Sequence, residues 1–348
     1  MSGAIVIDGF TNREFAAEEL TLAMSVFPNF YTMVTDMGIF GDPIPLSTTY
    51  VSLEIEDHVL NLLPASERGG PASQGTRGRR KKKLFEVPFT PHEDSIKVGD
   101  LQNLRAFGSK APMMLEQQVN RKLLTMAMKH QITHEWRRVG ALCGKILDAD
   151  ASVMIDIFDE FDVEEKVEFF GAAGSTSQHC RNIWRHMEDN LDGEVMTGVV
   201  ALCSPEFMDM LLEDVDVKKA YDSFQAALAG LPNPQLYDVR RYFPYQNISF
   251  IEYRGVASAV AQDGTKTARK FIPAGTARFF PLGTITSAFS CVAPGDFIEC
   301  YNMPGQLYYA KAAPVRFDRG VDLHTQSSFL PLWTRPKLLV KGTTASGP

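Results

Sequence analysis

Long apolar runs are missing from this 348-residue chain. No stretch approaches the ~18 residues that a membrane-spanning helix needs. Met1 to Phe10 has no basic leader and places Asp8 ahead of any apolar run, so the expectation is a chain kept in a cytoplasm-like compartment rather than exported. Cysteine is sparse: Cys143, Cys180, Cys203, Cys291 and Cys300 are an odd number, lie far apart and form no Cys-x-x-Cys. A disulfide framework or structural zinc site needs close, even sets, which leaves these residues as small hydrophobes. Phosphate-binding glycine loops are absent too. Gly140 to Ile146 is one spacer short of a Walker loop and has no hydroxyl after Lys145, and no Gly-x-Gly-x-x-Gly occurs.

What the chain does have is an ordinary globular balance, 45% hydrophobic and 22% charged, which excludes disorder as its main state. Its length is near that at which a single core divides, so two lobes or one core with long appendages are expected. The net charge of -7 is uneven. Arg77, Arg79, Arg80, Lys81, Lys82 and Lys83 crowd into seven positions, leaving 29 basic against 42 acidic residues, or -13, elsewhere. Most of that surface should repel nucleic acid.

The first 48 residues hold aromatics (Phe10, Phe27, Phe30, Tyr31, Phe40) but are cut by Pro28, Pro43 and Pro45, and read as an arm that packs against something else. Strand composition starts near Thr48 and resumes at Leu84 to Phe89. Between them, Ser66 to Lys83 carries four glycines, eight charges and no large apolar side chain, the pattern of a long hairpin with a basic tip. A short connecting element is expected from Asp94 to Leu104. Leu115, Val119, Leu123 and Met126, continued in shifted register by Ile132, Trp136 and Val139, predict a helix over 112–139, started by Pro112 and stopped by Gly140. Glu116, Arg121, Lys122, Lys129, Arg137 and Arg138 lie off that stripe, so the helix should rest on one side only.

An extended pair follows at Lys145–Leu147 and Val153–Ile157, then an acidic run to Glu168 and a helix-like stretch from Ser175 to Leu191. Met196–Leu202 reads as a strand. Ser204 caps a helix through Leu212, and another helix covers Tyr221–Leu228. Strands are then expected at Ile248–Tyr253, Lys270–Ile272, Ala277–Phe280, Phe297–Tyr301, Leu307–Lys311 and Pro336–Lys341. Helices and strands mix without a βαβ rhythm, which makes the fold α+β.

Chemistry is thin. His130 and His134 stand at i, i+4 and could share a metal, but no glutamate lies between them as in His-Glu-x-x-His. A solvated or interface helix face is the expectation, with a metal-dependent enzyme as the competing reading. Asp156, Asp159, Glu160, Asp162, Glu164, Glu165 and Glu168 form a face suited to electrostatic contact rather than an acid–base pair. Ser175, Ser177 and Cys180 beside His179 have no activating context. The basic tip lacks the aromatics or rigid element that nucleic-acid reading needs, so a loop reaching the acids of a neighbouring subunit explains it better.

Several short motifs fall in one order: Leu60-Asn61-Leu62-Leu63-Pro64 before Arg68-Gly69-Gly70-Pro71, Gly144-Lys145-Ile146, Glu252-Tyr253-Arg254-Gly255, Phe279-Phe280-Pro281-Leu282-Gly283, Ala293-Pro294-Gly295-Asp296-Phe297, Tyr308-Tyr309-Ala310-Lys311, Gln326-Ser327 and Arg335-Pro336. Over nearly its whole length the chain resembles the lambda-type major capsid proteins of tailed bacteriophages. The resemblance implies an α+β tailed-phage/herpesvirus major capsid (Johnson) fold. In it 1–48 would be an N-terminal arm with Phe10, Phe27, Phe30 and Tyr31 as contacts, and 49–95 an extended loop. The peripheral domain would be 96–169 with spine helix 112–139, the axial domain 170–305, and 306–348 the C-terminal strands returning to the peripheral domain. The intersubunit loop residues would be Arg68, Gly69, Gly70, Arg77, Arg79, Arg80, Lys81, Lys82 and Lys83. The implied function is self-assembly into hexamers and pentamers of an icosahedral head around double-stranded DNA, in the virion after assembly in the host cytoplasm. The implied partners are copies of itself, a separate scaffolding protein, a portal, a decoration protein and DNA held by weak non-specific contact. No catalytic residue, cofactor, metal or membrane is implied. A bacterial encapsulin-like compartment shell of the same fold is the alternative.

Overall fold

The structure, a computed structural model, describes residues 32–56, 80–97, 99, 115–171, 176–229, 242–260 and 266–344. The elements in chain order are α1 (Met33–Asp36), β1 (Ile44–Pro45), β2 (Tyr50–Glu56), β3 (Arg80–Glu86), β4 (Phe89–Lys97), α2 (Leu115–Leu142), β5 (Lys145–Leu147), β6 (Val153–Asp156), α3 (Ile157–Phe161) and β7 (Lys166–Phe169). Next come α4 (Thr176–Asp189), β8 (Gly198–Cys203), α5 (Pro205–Glu213), α6 (Val215–Ala229), β9 (Tyr242–Tyr245), β10 (Ile248–Glu252), β11 (Val256–Val260) and β12 (Lys266–Lys270). The last are β13 (Thr276–Leu282), β14 (Ala288–Val292), β15 (Tyr309–Pro314), β16 (Gly320–Trp333) and β17 (Val340–Thr343). No helix among the described residues is long and apolar enough to cross a membrane.

Contacts divide the chain into two units, one of residues 1–51, 84–135 and 289–331, the other of 52–83, 136–288 and 332–348. The division is discontinuous in sequence. Residues 289–331 pair with strands of the first unit, and 332–344 add β17 to the sheet of the second.

In the first unit β16 is central, antiparallel both to β4, with Gly320 opposite Lys97 and Ser328 opposite Phe89, and to β15, with Val321 opposite Pro314 and Gln326 opposite Tyr309. Strand β1 joins β14 in parallel at Ile44–Cys291. Val119, Leu123, Met126 and Ala127 of α2 pack on Ile96, Ala310, Val321 and Leu323, removing that face from water. The connecting element expected at 94–104 is therefore corrected: residues 94–97 belong to β4, because Asp94, Ser95 and Ile96 pair with Leu323, Asp322 and Val321.

The second unit carries a six-stranded sheet in the order β7-β17-β13-β8-β10-β9, mixed parallel and antiparallel. Strands β8 and β13 are buried almost throughout. Phe170, Phe207, Phe250 and Phe279 fill the core with α4 and α5 against it. Ser204 caps α5 as expected: its hydroxyl accepts from Phe207 N at 3.2 Å, and Pro205 occupies the first turn.

Two expectations about α2 fail. The helix does not stop at Gly140 but runs to Leu142. A Cβ on Gly140 would lie 2.8 Å from the Lys145 carbonyl, so this glycine serves close approach, and the turn out of the helix falls at Gly144, which has φ +79°. Arg137 and Arg138, placed off the apolar stripe, are buried. The far end of α2 is covered on more than one side, and its guanidinium stems contribute to that packing. The strand expected at Phe297–Tyr301 is a single 3-10 turn, Ile298–Cys300, closed by Cys300 N to Phe297 O at 2.9 Å.

Candidate assembly surfaces

Of the intersubunit-loop residues, Arg68, Gly69, Gly70, Arg77 and Arg79 lie outside the described residues, as do the arm contacts Phe10, Phe27, Phe30 and Tyr31. Arg80 and Lys81 open strand β3, which pairs with β2. Along β3 the side chains alternate, Lys82 and Leu84 outward and Phe85 inward, the period of two that a half-buried strand imposes. Lys83 is engaged within its own chain. Its ammonium is 3.6 Å from Glu160 Oε2 and 5.5 Å from the centre of the Phe161 ring.

The described part of the arm region is tied down. Glu135, fully buried, accepts hydrogen bonds from Val34 N at 2.7 Å, Thr35 N at 3.2 Å and Thr35 Oγ1 at 2.8 Å. It thus caps α1 from a distant helix, since Thr32 makes no side-chain cap. Further along, Leu46 N donates to Val292 O and Gly305 N donates to Leu46 O, both at 2.8 Å.

His130 and His134 are not solvated. Both are buried, with Nε2 of His130 3.0 Å from Thr325 Oγ1 and Nε2 of His134 2.7 Å from Ser327 Oγ. The hydroxyls donate elsewhere, Thr325 to His92 O at 3.1 Å and Ser327 to Leu307 O at 2.7 Å. Each hydroxyl oxygen therefore accepts, and each histidine carries a proton on Nε2. Four helix residues advance about 6 Å and two strand residues about 6.6 Å, so the two pairs match in step. Among the described residues no group of three or more His, Cys, Asp or Glu side chains converges on a metal site.

The acidic run is spent on local bonds. Asp156 caps α3 and accepts from Lys145 Nζ at 2.7 Å, and although burial works to raise its pKa, the Lys145 ammonium and the α3 N–H groups hold it below the usual carboxylate value. Glu165 pairs with Arg278 at 2.5 Å. Glu168 lies 2.7 Å from His179 Nδ1 and accepts from Asn182. All five thiols are free, and burial pushes Cys180 and Cys291 up to about 12, consistent with inert packing residues.

Sequence reasoning missed Glu135, whose role depends on a partner a hundred residues away, and the Thr325/Ser327 pair. The one available signal was Thr-x-Ser alternation beside histidines of matching rise. Large apolar side chains also stand exposed, including Leu84, Phe89, Val195, Ile285, Ile298 and Tyr301.

The chain is a two-unit protein of the α+β class, with β2 and β3 paired and the apolar face of a 28-residue helix laid on a sheet. Solved structures of that class share the fold. The putative capsid protein of a prophage of E. coli CFT073 matches with TM-score 0.54 at 15% identity over 93% of this chain and 95% of that one. The mature capsid of bacteriophage PhiM1 matches with TM-score 0.52 at 13% identity over 93% and 89%. The family model for Phage major capsid protein E matches residues 16–344, and the chain belongs to that family. Among curated proteins, the major capsid protein of Pseudomonas phage KPP10 is 29% identical, covering 95% of this chain and 97% of its own length. That of Salmonella phage Felix O1 is 26% identical with the same coverage. The chain is thus a phage major capsid protein, a structural component of the virion and not an enzyme, and it works as many copies in one shell.

Proposed function

We propose that this capsid protein forms hexamers and pentamers of an icosahedral head that encloses double-stranded DNA and is assembled in the host cytoplasm on a separate scaffolding protein, with a portal and a decoration protein as further partners. The observation that carries the reading is the family match over 16–344. Residues 1–48 would act as the arm through Phe10, Phe27, Phe30 and Tyr31, and 49–95 as the extended loop laid over a neighbour. The peripheral domain would be 96–169, built on the spine helix, with 170–305 as the axial domain and 306–348 as the returning strands. The loop cations from Arg68 to Lys83 would meet acids of the next subunit, and exposed Lys82 fits that role better than Lys83, which Glu160 already engages. The acidic remainder of the chain suits a wall that binds packaged DNA only weakly. Expansion of a precursor shell would bend the spine helix near Met126 to Ile132.

Electron microscopy of the chain expressed with and without its neighbouring scaffold gene tests this. Closed shells or capsomers are expected. A monodisperse monomer under both conditions overturns the reading.

A further inference from the structure

In the first unit the chain leaves Pro294, makes a tight turn and displays three large apolar side chains within six residues: Ile298 is 97% exposed, Tyr301 81% and Met303 54%. The turn is built, not loose. Asp296 N donates to Gln326 Oε1 at 2.8 Å, Cys300 N to Phe297 O at 2.9 Å and Met303 N to Cys300 O at 3.1 Å. Asn302 takes φ +56°, a left-handed conformation that asparagine tolerates better than most residues. Lys311 braces the turn from β15, with Nζ 2.9 Å from Glu299 and 5.0 Å from the centre of the Phe297 ring. A rigid turn that holds apolar groups in water has its ordering cost met before a partner arrives.

Beside the turn, on the same unit, lies a recess of about 450 Å³ lined by Phe297, Ala312, Ala313, Glu93, Asp322 and His324, among others. Two of its lining residues are alanines, and the volume can take one or two large side chains. Its lining carries three carboxylates, Glu93, Asp296 and Asp322, against the one ammonium of Lys311. Glu93 and His324 Nδ1 are 2.8 Å apart, and the Lys311 ammonium is already paired with Glu299. That charge disfavours an anionic occupant such as nucleic acid.

We propose that turn 297–303 and this recess are the two halves of one contact between copies of the chain: Ile298 and Tyr301 of one copy seat in the recess of the next. The occupant is a second copy because the chain works as many copies in one shell, and because projection and recess stand side by side on one unit. A rotation that places one turn in the next recess repeats itself from copy to copy, which is how a heterologous contact closes into a ring. Carboxylates of the lining give the Tyr301 hydroxyl an acceptor, and an aromatic anchor in a pocket is the usual centre of such an interface. The inference rests on the assembly reading above.

The test uses the full chain co-expressed with its scaffold gene. Ile298→Asp with Tyr301→Asp, and separately Ala313→Trp to fill the recess, should leave the melting temperature of the unassembled chain unchanged and lower the yield of shells roughly ten-fold or more. In a Cys300→Ser background, chains carrying Tyr301→Cys mixed with chains carrying Ala313→Cys should give disulfide-linked dimers on oxidation of shells, and neither variant alone should. Wild-type shells together with full-yield variant shells and no such dimer overturn the contact alone. A wild-type chain that stays monomeric overturns the assembly reading and the contact with it.

Discussion

In the second unit the sheet closes on its helices through rings: Phe170 stacks on Phe279 at 5.8 Å with planes 4° apart, and Phe207 and Phe250 meet these two edge-on. In the first unit the central contact between α2 and β16 includes four polar side chains, His130 with Thr325 and His134 with Ser327, beside the apolar set around Leu123 and Val321. Rings fill volume and accept neighbours of similar size, so they set how much stability is gained. Hydrogen bonds in a dry seam demand one alignment and set which arrangement is adopted.

That contrast can be broken by substitution. Phe279→Ala should cost about 3–5 kcal/mol in denaturant unfolding, while Phe279→Leu, which keeps most of the volume, should cost under about 1.5 kcal/mol. Equal losses from both would mean the aromatic core is as exacting as the polar seam. In the first unit Glu135→Ala should cost about 3 kcal/mol, because it strips the acceptor from two backbone N–H groups and a hydroxyl. It should also expose residues 32–46 to protease, whereas Phe279→Leu should not.

A double-mutant cycle sharpens the comparison further. His134→Phe and Ser327→Ala should show a coupling of about 1 kcal/mol, since the two groups form one buried bond. Zero coupling would reduce the seam to ordinary packing. The smallest effect belongs to a surface pair of the second unit. A hydrogen bond from Lys270 at 2.7 Å holds Glu206 down to about 2, below its ordinary 4.5, so its contribution is full above about pH 4.5 and is lost as pH falls through about 2. Both side chains are about half exposed, and the effect should be roughly 0.5 kcal/mol or less. Stability curves of wild type and Glu206→Gln between these pH values should converge at the acid end.

The same contrast decides what could be read from residues alone. The apolar unit was legible: Met196–Leu202, the Ser204 cap and Ala277–Phe280 all announce themselves by composition, and β8, α5 and β13 stand there. The longest strand among the described residues, β16, was invisible, because Thr325, Gln326 and Ser327 interrupt its apolar pattern with groups bonded to other elements. Gly140 misled for a related reason, its meaning being set by a carbonyl five residues on rather than by helix grammar. Ile298 and Tyr301 looked like a strand because apolar residues usually face inward, and here they face out. The arm and the basic hairpin stand out by composition, whereas their roles in an assembly come only from the resemblance.

The two histidine bonds act as a vernier. A slip of α2 along β16 by one residue turns both imidazoles away by about 100°, and a slip by a whole turn sets Met126 or Arg138 against a strand hydroxyl. Residues 130–134 and 325–327 are thereby held in one alignment. In the expansion proposed above, the bend between Met126 and Ile132 would then fall on its Met126 side, ahead of His130.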